Sequence, residues 1–333
     1  MRILSAADVQ ASVNMAAAIQ LMRDAFAQLS AGTADVPDRV ALRVSDRNAA
    51  ALVMPAYLRA TGQLGLKVVG VFPENAVRGM PTVPATVLLL DAHTGLPRAL
   101  MDGTYLTALR TGAATGLATD LLARPDAHVA TLFGAGGQAP FQLAAICQVR
   151  AITRAWIVNR TRAHAERLAA QIASWPDTWR PREVRLVELG HGAQEAVAEA
   201  DVIATATSAS APLFRGDWVR SGTHVNAIGA FTPTARELDG ALMRRALIVV
   251  DARTTEVATV GDLALAAREG AIDANAPHTE LGEVVLGTRP GRTDPEQITC
   301  FKSVGNAAQD VVVADHAYRE ALRLGLGLEV ELS

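Results

Sequence analysis

Val129-Ala-Thr-Leu-Phe-Gly134-Ala-Gly136-Gly137-Gln138-Ala139, with Ile157-Val-Asn159-Arg160-Thr161 about twenty residues further on, decides the fold of this chain. Five residues, four of them apolar, run into a glycine turn as a buried strand would, and the small and apolar residues after it fit a helix. A turn at Ala151 to Ala155 leads into a second apolar strand at Trp156-Ile-Val, completing the strand–helix–strand unit that a dinucleotide site requires. Gly134 then makes the tight turn, Gly136 and Gly137 let backbone approach a pyrophosphate, and Gln138 leads to Ala139, where the fingerprint accepts Gly or Ala. Amides at the helix N-terminus receive the phosphate charge. The second strand ends in Asn159, Arg160 and Thr161, where a carboxylate would otherwise bond the adenosine ribose. A carboxylate repels a 2′-phosphate, whereas a guanidinium and a hydroxyl bind one. NADPH is therefore expected in preference to NADH, with NADH possible.

Outward from this unit, strands are predicted at Val184 to Val187, Val202 to Thr205, His224 to Ile228 and Leu247 to Val250, alternating with helices such as Gly192 to Ala200 and Gly261 to Glu269. Such alternation gives a doubly wound parallel sheet. The N-terminal part reads differently. An amphipathic helix over Val13 to Ser30 precedes strands at Val40 to Val44, Ala50 to Pro55, Gly65 to Phe72 and Ala85 to Asp91, then a helix over Thr104 to Leu122. A helix running to about Leu324 closes the chain and is expected to return to this first part. The fold class is thus α/β: a Rossmann domain, 113–305, inserted in a mixed α+β substrate and dimerisation domain, 1–112 plus 306–333.

The chain has 333 residues, half of them hydrophobic, and a formal net charge of −3. That suffices for two cores and, with no long basic run, argues against a nucleic-acid partner. Two cysteines, Cys147 and Cys300, give no disulfide framework or metal site, and no leader or membrane span is read, so a cytoplasmic location is expected. No nucleophile elbow, HExxH helix, P-loop or paired CxxC occurs, which leaves hydride chemistry. The first domain offers Arg39, Arg43, Lys67, Thr82 and Arg110. Lys67 lies in an apolar strand, where an unpaired ammonium is costly, so it is expected to be functional or salt-bridged. Arg110 taken alone reads as a surface or capping arginine, and Thr82 as a turn residue. The histidines at 93, 128, 191, 224, 278 and 316 read as core or surface fillers.

The segments Val53-Met-Pro-Ala-Tyr57, Leu66-Lys67, Ala108-Leu-Arg110-Thr111-Gly112-Ala, Gly134-Ala-Gly-Gly-Gln138-Ala, Asn226-Ala-Ile-Gly229, Glu237-Leu-Asp239, Leu281-Gly-Glu-Val284 and Phe301-Lys-Ser-Val-Gly305 occur in this order over essentially the whole length. In them the chain resembles the ornithine cyclodeaminase and μ-crystallin family. The resemblance implies a homodimer and hydride transfer at the α-carbon of amino or imino acids. It places Arg39, Lys67 and Arg110 around a substrate carboxylate with Thr82 nearby, Lys67, Arg110 and Thr82 being the catalytic candidates. Arg43 is a register rival of Arg39, which is favoured by its distance to Met54-Pro55. Phe231 and Val304 join the substrate side. Thr111, Thr207, Ile228 and Ser303 join the cofactor side.

One departure carries the expected activity. The family's deaminases have an aspartate after the Asn-Ala-(Val/Ile)-Gly segment and a glutamate just before Met-Pro; here those places hold Phe231 and Leu52-Val53. Neither can move protons, so ornithine deamination is expected to be disabled. The segments around Phe231 and Ser303 look most like the family's Δ1-pyrroline-2-carboxylate reductases, which implies reduction of a five- or six-membered cyclic imino acid. The alternatives are a cyclodeaminase, an alanine-type dehydrogenase, or a binder of NADPH and small ligands. The proton is expected from a water held near Lys67 and Thr82; Asp310, in Gln309-Asp310, is a candidate acid expected rather to cap or orient backbone.

Overall fold

The computed structural model describes residues 1–254 and 259–331. The chain divides into two compact units, Met1–Arg110 with Gly305–Ser333, and Thr111–Val304. The first crossing lies inside the continuous helix Gly103–Leu122, between Arg110 and Thr111 and two residues before the expected boundary; the second lies between Val304 and Gly305, one residue before it. Residues 332 and 333 of the expected span lie outside the described residues.

In the unit Thr111–Val304 an eight-stranded parallel sheet runs in the order Glu183–Glu188, Arg154–Asn159, Val129–Phe133, Val202–Thr205, His224–Ala227, Ile298–Lys302, Ala246–Val250, Thr279–Glu280. Helices cover both faces, which is why Val129–Phe133, Val202–Thr205 and His224–Ala227 are buried at every position and show no alternation of apolar and exposed polar residues. Two buried clusters form the core, one around Phe133, Val225 and Leu242, the other around Leu132, Leu143 and Ile157. The order reverses between Val129–Phe133 and Val202–Thr205, and the crevice outside the carboxyl ends of such a pair is where doubly wound sheets bind ligands. The expected turn at Ala151 to Ala155 is shorter than read. Arg154 and Ala155 already belong to the strand, because Arg154 pairs with both Val129 and Glu183 in the ladder and its guanidinium meets Glu183 and Glu199.

The other unit is built on an eight-stranded mixed sheet. Its order is Leu328–Glu329, Arg2–Leu4, Pro97–Asp102, Ala85–Asp91, Gln63–Val71, Ala49–Leu58, Ala34–Asp35, with Val40–Val44 also paired to Ala49–Leu58. The strands at Arg2 and Pro97 and the short helix Ala6–Ser12 escaped the sequence reading. The helix Ala307–Leu324 packs against the helix Met15–Ser30 and across the strands Gln63–Val71 and Ala49–Leu58. Its first turns are buried from Ala307 to Asp315. Gly65 permits this approach, since a Cβ there would stand 2.7 Å from the Leu88 carbonyl and 3.2 Å from Val311.

Candidate active site

Register in the first unit brings its cations together. Val40 pairs with Val53 in antiparallel register, so Arg39, just before the strand, comes level with Met54; Met54 in turn pairs with Lys67 on the next strand. Arg43 lies at the far end of its strand, opposite Ala50, and is exposed. Arg39 donates from Nη2 to the Gly305 carbonyl at 3.2 Å. Lys67 is 2% exposed, Arg110 5% and Asp310 0%. Lys67 Nζ donates to Asp310 Oδ2 at 2.7 Å, and Arg110 Nε donates to Asp310 Oδ1 at 2.9 Å. Arg110 Nη1 donates to Gln309 Oε1 at 2.7 Å.

Two readings made from the residues alone are corrected here. Arg110 is neither a surface nor a capping residue: its helix is buried almost all round, and the guanidinium is gripped from the last helix. Asp310 does not cap backbone. It is the buried counter-ion of both Lys67 and Arg110, and Gln309 beside it, to which no role was given, fixes the other arm of the fork. Thr82 is exposed on the loop after Gly79, accepts the Phe72 amide at its carbonyl, and makes no side-chain hydrogen bond to Lys67 or Arg110 among the described residues.

Lys67 and Arg110 share the one carboxylate of Asp310, and two cations on one carboxylate suit a second anion. Burial pushes the Lys67 ammonium down to about 8, with Asp310 opposing that shift and Arg110 and Arg39 adding to it. Lys67 therefore remains mostly charged at neutral pH while able to release a proton close to it.

The second unit presents the dinucleotide features. Gly134 has φ +103°, and a Cβ there would meet the Ala206 carbonyl at 2.6 Å, so the turn requires glycine twice over. Gly136 and Gly137 are different: a Cβ on either would point into open space. The amides of Gly136, Gly137 and Gln138 make no hydrogen bond among the described residues, and the eleven-residue helix Ala139–Val149 begins directly after them. Free amides, missing side chains and a helix N-terminus in one loop fit a pyrophosphate. A cavity of about 260 Å³ extends from this turn along Asn159, Arg160 and Thr161 to Thr207. Asn159 Nδ2 donates to the Thr161 carbonyl at 2.8 Å, closing the turn on which Arg160 is exposed. His164 also lines this cavity and was absent from the sequence reading.

At the same sheet edge Glu237 is fully buried and receives Thr205 Oγ1, the Thr207 amide and Thr207 Oγ1 each at 2.7 Å, the Gly229 amide at 2.8 Å and the Ala230 amide at 3.2 Å. Burial pushes its carboxyl up, and Lys302 and the threonine bonds oppose that. Asp262 accepts the Glu237 and Leu238 amides at 2.8 and 3.0 Å and Lys302 Nζ at 2.9 Å. Glu237 was not singled out as a site residue; its place in Glu237-Leu-Asp239 was the one signal for it. Of the remaining expected residues, Ser303 Oγ and the Val304 amide both donate to Asp251, at 3.0 and 2.9 Å, Ile228 is buried with its amide on the Thr205 carbonyl, Thr111 is buried at the start of this unit, and Phe231 is 42% exposed.

The sequence profile of the Ornithine cyclodeaminase/mu-crystallin family matches residues 1–324. A Delta(1)-pyrroline-2-carboxylate reductase of Bacillus cereus is 37% identical over 332 residues, covering 99% of this chain and 100% of that protein. The structure of Thermococcus litoralis Delta(1)-pyrroline-2-carboxylate reductase in complex with NADH and L-proline matches with a TM-score of 0.93 and 40% identity, over 99% of this chain and 100% of that one. An archaeal alanine dehydrogenase dimer with bound NAD matches with a TM-score of 0.90 and 35% identity, over 100% of this chain and 99% of that one.

Proposed function

We infer the activity from the premise that this chain belongs to the ornithine cyclodeaminase/mu-crystallin family. It is an NAD(P)H-dependent ketimine reductase that converts a cyclic imino acid, Δ1-pyrroline-2-carboxylate or its six-membered homologue Δ1-piperideine-2-carboxylate, to the corresponding cyclic amino acid. The observation that carries this reading is the buried Lys67–Asp310–Arg110 cluster with Arg39 beside it. It is a ready-made seat for one carboxylate, in a chain whose Phe231 leaves the deaminase position without an acid or base.

Arg39, Lys67 and Arg110 hold the substrate carboxylate, a positioning and electrostatic contribution. Asp310 fixes Lys67 and Arg110 and balances part of their charge. The substrate enters as its iminium form. When bound, a reduced nicotinamide supplies a hydride to the imine carbon. That converts the C=N bond to a single bond and leaves a lone pair on nitrogen, and Lys67 Nζ, at about 8, supplies the proton that this lone pair takes. Gly136, Gly137 and Gln138 would hold the pyrophosphate, and Thr207, Ile228 and Ser303 the nicotinamide end.

Arg160, Thr161 and Asn159 support NADPH as the preferred form, because the strand tip carries no carboxylate to repel a 2′-phosphate. The relatives' structures hold NADH or NAD, so both forms belong in the assay. The reading includes a homodimer, supported by the dimeric alanine dehydrogenase relative, and a cytoplasmic location, supported by the need for a reduced nicotinamide. Thr82 stays in the reading as a contributor near the carboxylate, and Val304 and Phe231 as walls of the substrate site. Among the described residues no helix is long and apolar enough to cross a membrane.

The test measures oxidation of NADPH and NADH with each cyclic imine, and in parallel ammonia release from L-ornithine and L-alanine with NAD. Fast imine reduction without ammonia is expected, and the faster ring names the substrate. Ammonia from ornithine with idle imines would replace this reading with a cyclodeaminase, and from alanine with a dehydrogenase. Tight binding without turnover would replace it with a binding protein.

A further inference from the structure

The cavity at the glycine turn is lined by a histidine as well as an arginine. Asn159, Arg160, Thr161 and His164 form the part of it that lies beyond the turn, at the tip of the strand Arg154–Asn159. His164 sits in the first turn of the helix Arg162–Ala173, and its amide donates to the Thr161 carbonyl at 3.1 Å, so residues 161 and 164 stand one turn apart. The His164 ring and the Arg160 guanidinium are exposed, and neither makes an ion pair or a side-chain hydrogen bond among the described residues.

Charge around this wall is one-sided. Among the described residues no aspartate or glutamate lines the cavity, and Arg160 and His164 are its titratable groups. Arg162, next in the chain, is already engaged: its Nε donates to Glu166 Oε1 at 2.8 Å, four residues along the helix. Arg167 lies on the same helix outside the cavity. Three elements pack against this helix, the strands Arg154–Asn159 and Glu183–Glu188 and the helix Ala139–Val149, and the last carries no charge. On the strands, Arg154 and Arg185 are paired with Glu183 toward the strand starts, and Glu188, opposite Asn159 in the ladder, is exposed without lining the cavity.

A ribose hydroxyl at this wall would need an acceptor, which neither a guanidinium nor an imidazolium offers. A phosphate monoester brings three acceptor oxygens and nearly two negative charges at neutral pH. An arginine keeps its charge at any working pH, whereas a histidine gives its charge up between pH 5 and 8. We propose that His164 is a second cation on the cofactor's 2′-phosphate, beside Arg160, and that it makes the choice between NADPH and NADH depend on pH, sharper below neutrality and weaker above it. This rests on the NADPH preference proposed above and adds its regulation: Arg160 supplies a constant part of the preference and His164 a part that fades as protons are lost.

Fluorescence titration gives the Kd values of NADPH and NADH at pH 6.5 and 8.5, and the ratio of the NADH value to the NADPH value removes whatever the two cofactors share. For the wild type this ratio is expected to fall on the order of 10-fold from the lower pH to the higher, the loss of one charge-assisted hydrogen bond. The phosphate itself gains charge at the low end of this range, which acts in the opposite direction, so a fall marks a group of the protein. His164→Gln, at an exposed position, is expected to hold the ratio near the wild type's value for pH 8.5 at both pH values, and His164→Arg to hold it near the value for pH 6.5 at both. A wild-type ratio that does not fall, or a fall that persists in His164→Gln, overturns the proposal, and a selective loss of NADPH binding in Arg160→Ala then leaves the NADPH preference standing. Equal wild-type Kd values for the two cofactors at both pH values, with Arg160→Ala weakening both alike, overturn that preference as well.

Discussion

Asp310 Oδ2 lies 2.7 Å from Lys67 Nζ across 243 residues of sequence, and both groups are buried. Its second oxygen holds Arg110, so a single carboxylate fixes two of the three cations of the site. Asp310→Asn should therefore do more than lower activity. It leaves a buried ammonium and guanidinium without their counter-ion, a loss of about 3–5 kcal/mol when a buried pair is broken from one side. A Tm drop of several degrees together with loss of imine reduction is expected in thermal melts and turnover assays. A variant as stable as the wild type would show that the pair is not what holds Lys67 in place.

The same burial sets a pH limit. Lys67 titrates at about 8 in the folded chain against an ordinary 10.5, so its charge fades as pH rises through 8. Binding of a carboxylate ligand such as L-proline should weaken above that point, and Lys67→Met should bind more weakly throughout and lose this dependence. The sign for stability is opposite. Between about 8 and 10.5 the unfolded chain carries more protons on this lysine than the folded one, so its contribution to folding improves as pH rises through that window. Calorimetric Kd values and denaturant midpoints across the range check both directions.

Two glycines of the nucleotide loop should fail differently. Gly134→Ala forces a side chain into φ +103° and to 2.6 Å from the Ala206 carbonyl, so it should destabilise the protein by about 1–3 kcal/mol and abolish cofactor binding. Gly136→Ala meets open space and should fold normally while weakening NAD(P)H binding through the volume its methyl takes from the phosphate cradle. Denaturation midpoints and cofactor fluorescence titration separate the two.

Arg160 is exposed on the turn beside the cavity and bears the proposed preference for the phosphorylated cofactor. Arg160→Ala should weaken NADPH binding by about 1.5–3 kcal/mol, the range of hydrogen bonds to charged groups, and leave NADH nearly unchanged. Equal losses for the two cofactors would remove the assignment.

The nucleotide unit was legible because its signals are local. The glycine turn, the apolar strands and the strand–helix alternation each lie within a few dozen residues, and a doubly wound sheet is largely a repetition of such units. The carboxylate site was legible only in part. Lys67 announced itself as a cation in an apolar strand, but nothing near it in sequence points to Asp310, which arrives from the last helix. Arg110 was misread from its own neighbourhood because the helix Gly103–Leu122 has almost no exposed face to show which way a polar residue turns. Glu237 was missed for a related reason: the five donors it accepts come from residues 205 to 230.

Glu237 bears on how chemistry can change on this scaffold. It grips the segment before Phe231 through the backbone amides of Gly229 and Ala230, so the course of that loop owes nothing to the side chain at 231. With Phe231 partly exposed beyond that anchor, a proton-carrying residue and an apolar wall are interchangeable there without rebuilding the support. Reactivity at this position is a replaceable fitting on a fixed mount, and a descendant of this enzyme could acquire or lose acid–base chemistry by a single exchange while its sheet, its cofactor loop and its carboxylate seat stay as they are.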